Sequence, residues 1–137
     1  MDLDLAGLPA SQLYVVLAEK HGHYCPMSTL GLRIGWAARA LLPATPFEAI
    51  YLARTCAVDG ITLALDLPAL AVEEQGEHRL LLRSATGIWQ LSLLPRALQL
   101  AGSYRHLATE ADREGLLESL RCAKLSELLE VEMGEGA

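Results

Sequence analysis

Two histidines and a cysteine lie within five residues of one another, as His21, His23 and Cys25 in the run His-Gly-His-Tyr-Cys-Pro. In an extended segment, side chains two residues apart point the same way, and in a helix His21 and Cys25 share one face. Imidazole nitrogen and thiolate sulfur are ligands that zinc prefers, at about 2.0–2.3 Å. The spacing therefore predicts that the three side chains converge on zinc or a similar transition metal ion. Acidic pH is expected to weaken the binding of this ion, because the ligands must deprotonate to bind it.

A tetrahedral metal site needs a fourth ligand from elsewhere in the chain, and Cys56 is the candidate. Cys25 also directly precedes Pro26, at the predicted start of a helix, where free backbone N–H groups and the helix dipole stabilise a thiolate. This setting suits a metal ligand or a nucleophile. If only three of the four side chains bind the ion, the open position allows metal-assisted catalysis.

Two other functions are compatible with the same residues. In a thiol-dependent enzyme or redox module, Cys25 is the nucleophile, a neighbouring histidine is the base, and Asp59 orients that histidine. In a metal-free binding module, buried cysteines behave as small hydrophobic residues and apolar surface forms a dimer interface. Cys122 lies among leucines in a late amphipathic segment, which predicts a core or surface position away from any metal.

Two predicted helices flank the His/Cys run. Apolar residues with a period of 3.6 predict helices over residues 9–20 and 26–42, and Pro43 is expected to end the second. A stripe of small side chains on the second helix predicts close approach of another backbone; its members recur every four residues, at Met27, Gly31 and Gly35.

The rest of the chain predicts a central sheet with helices at both ends. Strands are expected at residues 47–53, 69–73, 79–84 and 88–94, and helices at 58–67, at 95–105, after Thr109 and in a last turn or two at 126–131. The strands at 69–73 and 79–84 are predicted to pair across the turn at Gly76, and the next strand follows a turn at Thr86. One α+β domain over residues 1–137 results, with helices packed around a mostly antiparallel sheet.

Composition restricts the class of protein. The 137 residues are 52% hydrophobic and 20% charged, which excludes a disordered chain. The net charge of -6 repels phosphate backbones, so nucleic acid is not an expected partner. No uninterrupted apolar run reaches the roughly 20 residues that span a bilayer, which argues against a membrane partner.

The N-terminal residues, the cysteine count and the apolar content bear on export, disulfide bonds and oligomeric state. The sequence begins Met1-Asp2-Leu3-Asp4, without the basic region and apolar core of a secretory signal, so export is not expected. Its three cysteines, an odd number, argue against a disulfide framework. High apolar content with few aromatic residues predicts a homodimer, because obligate interfaces resemble a core cut in half.

Two motifs in this order resemble a known family. His-Gly-His-Tyr-Cys-Pro followed by Leu-Gly-Leu-Arg-Ile-Gly, at residues 21–26 and 30–35, resembles the opening of the FmdE-like family, named after a component of formylmethanofuran dehydrogenase. Cys-Ala-Val-Asp-Gly-Ile at residues 56–61 resembles its second motif, Cys-x-Val-Asp-Ala-Ile. The segment at 125–131 is similar to the usual ending of the family. The resemblance spans residues 19–132, with a diverged middle.

The resemblance implies an α+β domain in which histidine and cysteines line an inner cavity, bind a metal, usually zinc, and face an unidentified small ligand or substrate. It also implies a cytoplasmic and often dimeric protein. Some members add a C-terminal zinc ribbon, which is not expected here. Met27 replaces a family glycine, Gly60 replaces the usual alanine, and the family's glycine-rich loop after Asp59 is missing. These differences leave the identity of the ligand open.

Overall fold

The computed structural model describes residues 7–41, 47–85 and 87–134. Within these residues the chain alternates between helices and a single sheet. The helices are α1 (Ser11–His21), α2 (Pro26–Leu41), α3 (Ala57–Leu65), α4 (Pro95–Ser103), α5 (Glu110–Cys122) and α6 (Leu125–Leu128). The strands are β1 (Phe47–Tyr51), β2 (Ala71–Val72), β3 (Arg79–Ser84), β4 (Gly87–Leu93) and β5 (Leu129–Gly134).

The described strands form one sheet in the order β2-β1-β3-β4-β5. β3 pairs antiparallel with β1 and β4, and β5 pairs antiparallel with β4, whereas β2 runs parallel to β1. The predicted α+β class with a mostly antiparallel sheet is confirmed. Most predicted elements lie within a few residues of the observed ones. The expected helix end at Pro43 and the expected turn residue Thr86 lie outside the described residues.

The predicted pairing of residues 69–73 with 79–84 is wrong. Ala71 lies opposite Ile50 of β1, while β3 occupies the other side of β1. The connecting loop folds over the end of β1, because the backbone N–H groups of Gln75 and Glu77 both donate to the carbonyl of Leu52. Helix α3 supplies the crossover that parallel pairing of β1 with β2 requires.

The predicted closing turn at residues 126–131 is only partly correct. Helix α6 ends at Leu128, and the chain continues as β5 along the edge of the sheet. Leu129 is buried, Glu130 is exposed and Val131 packs against the core, so side chains alternate between the two faces of a strand. The short apolar run there has a period of two and not of 3.6.

The core lies between one face of the sheet and the helices α2, α3, α4, α5 and α6. Leu80, Leu82 and Leu91 project from the sheet and meet Leu30 and Ile34 of α2, and all five are at most 2% exposed. In the described part of the chain, no helix combines the length and the apolar character needed to cross a membrane.

Helices α2 and α3 pack backbone against backbone. A Cβ atom at Gly31 would collide with the carbonyl of Ala57, and one at Gly60 would collide with the backbone of Ser28 and Leu32. Because Gly35, one turn after Gly31, meets Ile61 further along α3, the two helices run in the same direction. The prediction of close packing along this stripe is confirmed, and the contact places the N-termini of α2 and α3 side by side.

A buried arginine attaches α2 to the end of α5. The Arg33 side chain is 1% exposed and donates hydrogen bonds to the carbonyls of Leu120, Arg121 and Ala123, at 2.7, 2.9 and 2.6 Å. These carbonyls lie at the C-terminus of a helix, where the helix dipole favours a positive charge. The polar groups that end α5 are therefore satisfied inside the protein.

The α2–α3 contact makes a testable prediction about Gly60. Replacing a helical glycine by alanine ordinarily stabilises a helix by up to about 1 kcal/mol. At Gly60 the added methyl group meets backbone that cannot move aside, so we expect Gly60→Ala to lower the free energy of unfolding by about 1–3 kcal/mol. Urea denaturation of the purified variant measures the change.

The matched control is Gly115→Ala in α5, because nothing lies within 4 Å of a Cβ built at that exposed position. Gly115→Ala is expected to leave stability unchanged or raise it. Equal effects of the two substitutions would contradict the packing argument.

Candidate metal centre

The chain turns between His21 and His23. Helix α1 ends at His21, and Gly22 adopts the left-handed conformation (φ 99°) while its N–H donates to the carbonyl of Ala18 at 2.8 Å. Glycine adopts this conformation without the steric cost of a Cβ. The turn brings the ring of His23 back beside that of His21, with ring centroids 4.7 Å apart. The His21 side chain is 11% exposed, and His23 is exposed.

Cys25 occupies the N-cap position of α2, directly before Pro26. Its Sγ accepts a hydrogen bond from the backbone N–H of Ser28 at 3.3 Å and contacts the Ser28 hydroxyl at 3.2 Å. The residue is 8% exposed. The predicted position of Cys25 at the start of a helix is confirmed, and its sulfur has a backbone N–H donor beside it. Ser28 was not among the predicted site residues, although the third residue after an N-cap has a backbone N–H that the N-cap side chain commonly accepts from.

His21 links Cys25 to a carboxylate. Its Nδ1 lies 2.6 Å from Oδ2 of Asp59, and its Nε2 lies 3.5 Å from Sγ of Cys25. A proton on Nδ1 that is donated to Asp59 leaves the lone pair of Nε2 facing the sulfur. Carboxylates orient metal-binding histidines in this way, and also orient catalytic ones. The role predicted for Asp59 in the thiol alternative thus has a geometric counterpart.

Cys56 directly precedes α3, which begins at the next residue. Burial, then the nearby Cys25 and Asp59, raise the pKa of the Cys56 thiol. Since the α2–α3 contact aligns the two helix N-termini, Cys56 and Asp59 both reach the side of the fold that carries the His/Cys run.

Three of the predicted donors form a compact group. One ligand atom from each of His21, His23 and Cys25 lies within 4.8 Å of the other two, and Cys56 is not part of this group. Two imidazole nitrogens and one sulfur are a donor set that suits zinc or a similar transition metal ion, and Asp59 contacts the outer nitrogen of His21.

Cys122 lies apart from this group, as predicted. It is exposed at the end of α5, and its thiol donates to Oε1 of Glu118 at 3.0 Å. This hydrogen bond, with the negative charge of Glu118, raises the pKa of the Cys122 thiol. The two cysteines that the sequence distinguishes by their settings therefore differ in burial and in hydrogen bonding.

Comparison with solved structures shows a shared fold. The chain is similar to a tungsten formylmethanofuran dehydrogenase FmdE-like protein from Syntrophus aciditrophicus, with a TM-score of 0.64 and 20% sequence identity. The alignment covers 92% of this chain and 72% of that chain. None of the curated proteins compared with the sequence matches it significantly.

The segment that matches a known protein family contains the candidate site. Residues 20–132 match the family described as FmdE, molybdenum formylmethanofuran dehydrogenase operon. The matched segment includes all four predicted ligands, the whole of α2 and α3, and the first four residues of β5. The chain therefore belongs to the FmdE family.

Proposed function

We propose that this protein binds zinc or a similar transition metal ion through His21, His23, Cys25 and Cys56. The observation that carries the proposal is the convergence of the first three donors within 4.8 Å. The short contact between His21 and Asp59 supports it, because a second hydrogen bond fixes the tautomer of a ligand histidine. The electrostatic influence of Cys25 on Cys56 supports Cys56 as the fourth ligand.

If one of the four side chains left a coordination position open, the ion would supply Lewis-acid chemistry towards an oxygen-containing small molecule. The surrounding side chains position the proposed ligands. Asp59 orients His21, the Ser28 N–H holds the sulfur of Cys25, and the low exposure of Cys25 excludes water from that side of the site. His23 is exposed, so this side of the site faces solvent.

We place the protein in the cytoplasm. Cys25, Cys56 and Cys122 are free thiols, and thiols persist in a reducing compartment, whereas secreted proteins of this size usually form disulfides.

The proposal predicts the metal content of the purified protein. Protein prepared without chelators is expected to carry near-stoichiometric zinc or a similar ion, measured by elemental mass spectrometry. Cys25→Ser removes a ligand, so we expect the variant to lose the metal. Asp59→Asn keeps the ligands but weakens the bond that orients His21, and we expect metal affinity to fall about 10–100-fold.

Cys122→Ser is the matched control, because it makes the same chemical change at an exposed thiol outside the group. The variant is expected to retain its metal and to change little in melting temperature. Metal-free parent protein, or a Cys122→Ser variant that loses metal while Cys25→Ser keeps it, would refute the proposal.

One observation favours a second function, a thiol-dependent enzyme or redox module. Sγ of Cys25 lies 3.5 Å from Nε2 of His21, and Nδ1 of the same ring lies 2.6 Å from Oδ2 of Asp59. This is the order of nucleophile, base and orienting carboxylate in thiol-dependent enzymes. The low exposure of Cys25 restricts its attack to small electrophiles.

Alkylation of metal-free protein by iodoacetamide tests this second function. The sulfur forms a bond to carbon and iodide leaves, so mass spectrometry of peptides reports each cysteine separately. If Cys25 is an activated nucleophile, it reacts faster than the exposed Cys122, and Asp59→Asn slows Cys25 alone. Faster reaction of Cys122, with Cys25 inert, would exclude the thiol function.

We also propose that the chain forms a homodimer through the outer face of the sheet. The half-buried side chains of Ile50, Leu81 and Ile88 alternate along their strands with the core residues Tyr51, Leu80, Leu82 and Trp89, so they project away from the core. Register places Ile50 directly opposite Leu81. This apolar cluster on an exposed sheet face is suited to a second copy of the chain.

Sedimentation velocity at micromolar concentration tests the dimer. The parent is expected at twice the 14.8 kDa mass of the chain, and Leu81→Glu is expected to shift it to the monomer. Leu100→Glu is the control, because Leu100 is 39% exposed on α4, away from the sheet face. A monomeric parent would refute the proposal.

A further inference from the structure

Two of the free thiols lie where α2 and α3 begin. Cys25 directly precedes α2 and Cys56 directly precedes α3, although the two residues are distant in the chain. A disulfide requires that the two backbones approach closely, with Cα atoms usually about 4.4–6.8 Å apart. The packing of α2 on α3 therefore decides whether these thiols can pair.

The contacts between the two helices place the sulfur of Cys25 beside the start of α3. Sγ of Cys25 reaches along α2, where it accepts from the N–H of Ser28 at 3.3 Å. A Cβ atom built at Gly60 would collide with the carbonyl of Ser28, and Gly60 lies about one helical turn after Cys56. Cys56 therefore lies beside the first turn of α2, near this sulfur.

The side chains of the two cysteines also interact directly. Burial, then the charge of Cys25 and a hydrogen bond with its side chain, raise the pKa of the Cys56 thiol. A hydrogen bond acts only over a short distance, so the two sulfur atoms lie close together. Cys122 is separate from this pair, because its thiol donates to Oε1 of Glu118.

The two thiols differ in their access to solvent. Cys56 is half-buried, whereas Cys25 is only 8% exposed. A small oxidant therefore reaches Cys56 first. Cys25 needs no contact with the oxidant, because Cys56 can approach it from within the protein.

We propose that Cys25 and Cys56 form a disulfide when the metal-free protein meets hydrogen peroxide. In the first step Sγ of Cys56 bonds to one peroxide oxygen, the O–O bond breaks, and the thiol proton leaves with the other oxygen as water. In the second step Sγ of Cys25 bonds to the sulfur of Cys56, the S–O bond breaks, and the Cys25 proton leaves with the hydroxide as water. The two sulfurs are oxidised, and one peroxide is reduced to two water molecules.

The disulfide regulates the metal centre, a consequence that rests on the proposed function. Thiolate sulfur is the form of cysteine that binds zinc, and two sulfurs joined in a disulfide no longer supply it. Oxidation therefore removes Cys25 and Cys56 from the four proposed ligands and leaves only the histidines. In a reducing compartment a disulfide of this kind is transient and responds to oxidants.

Peptide mapping of the oxidised full chain tests the disulfide. Trypsin places Cys25, Cys56 and Cys122 on separate peptides, residues 21–33, 55–79 and 122–124. Metal-free protein is treated with one equivalent of hydrogen peroxide, capped with N-ethylmaleimide in urea and digested without reductant. The Cys25 and Cys56 peptides are expected to be joined at least about ten-fold more often than either is joined to the Cys122 peptide, because their sulfurs are held side by side.

Cys122→Ser is the matched control, because it removes an exposed thiol outside the pair, and it is expected to form the same disulfide as the parent. In Cys56→Ser, Cys25 is expected to remain a free thiol, since the member of the pair that meets the oxidant is missing. Dominant pairing with Cys122 in the folded parent, or oxidation of Cys56 to a sulfinic acid without a disulfide, would overturn the proposal.

Added zinc separates this inference from the metal proposal. One equivalent of zinc is expected to slow formation of the disulfide at least about ten-fold, and the oxidised protein is expected to lose its zinc. Zinc binding without a Cys25–Cys56 disulfide after oxidation would overturn the inference and leave the proposed function intact. Disulfide formation at the same rate with and without zinc would overturn the regulation. If the protein binds no zinc at all, the proposed function fails while the disulfide stands.

Discussion

The close contact between α2 and α3 is the constraint on which the rest of the site depends. Gly31, Gly35 and Gly60 remove the side chains that would hold the helices apart, and the backbones meet directly. The helices run in the same direction, so their positive N-terminal ends lie together. Cys25 caps one of these ends, and Cys56 and Asp59 lie at the other. Residues distant in the chain therefore meet at a place suited to negative charge.

A buried charge fixes the opposite side of α2. Arg33 replaces water at the carbonyl end of α5, where its Nη1 and Nη2 donate to carbonyls that have no partner within the helix. This contact also positions Arg121, whose carbonyl Arg33 binds and whose side chain reaches Tyr14 and Tyr24. The same helix thus positions Cys25 at its start and the C-terminus of α5 near its middle.

The arrangement of Asp59, His21 and Cys25 explains why one site supports two functional interpretations. A carboxylate that holds one imidazole nitrogen leaves the other nitrogen beside sulfur, whether a metal ion or an electrophile completes the set. The second histidine favours the metal, since a nucleophilic cysteine needs only one base, whereas His23 adds a third donor to the same compact group. Low exposure of Cys25 favours the same interpretation.

Local sequence by itself determined most elements and the core of the site. Gly22 after a helix, Pro26 before the next and the donors around them lie within six residues, so backbone preferences alone bring His21, His23 and Cys25 together. Strand order and the C-terminal strand required the tertiary structure. Periodicity does not state which strand is a neighbour, and the loop around Gln75 pairs with β1 through contacts distant in sequence. The contact of Asp59 with His21 is likewise a product of packing, because partners distant in sequence meet only once the helices have docked.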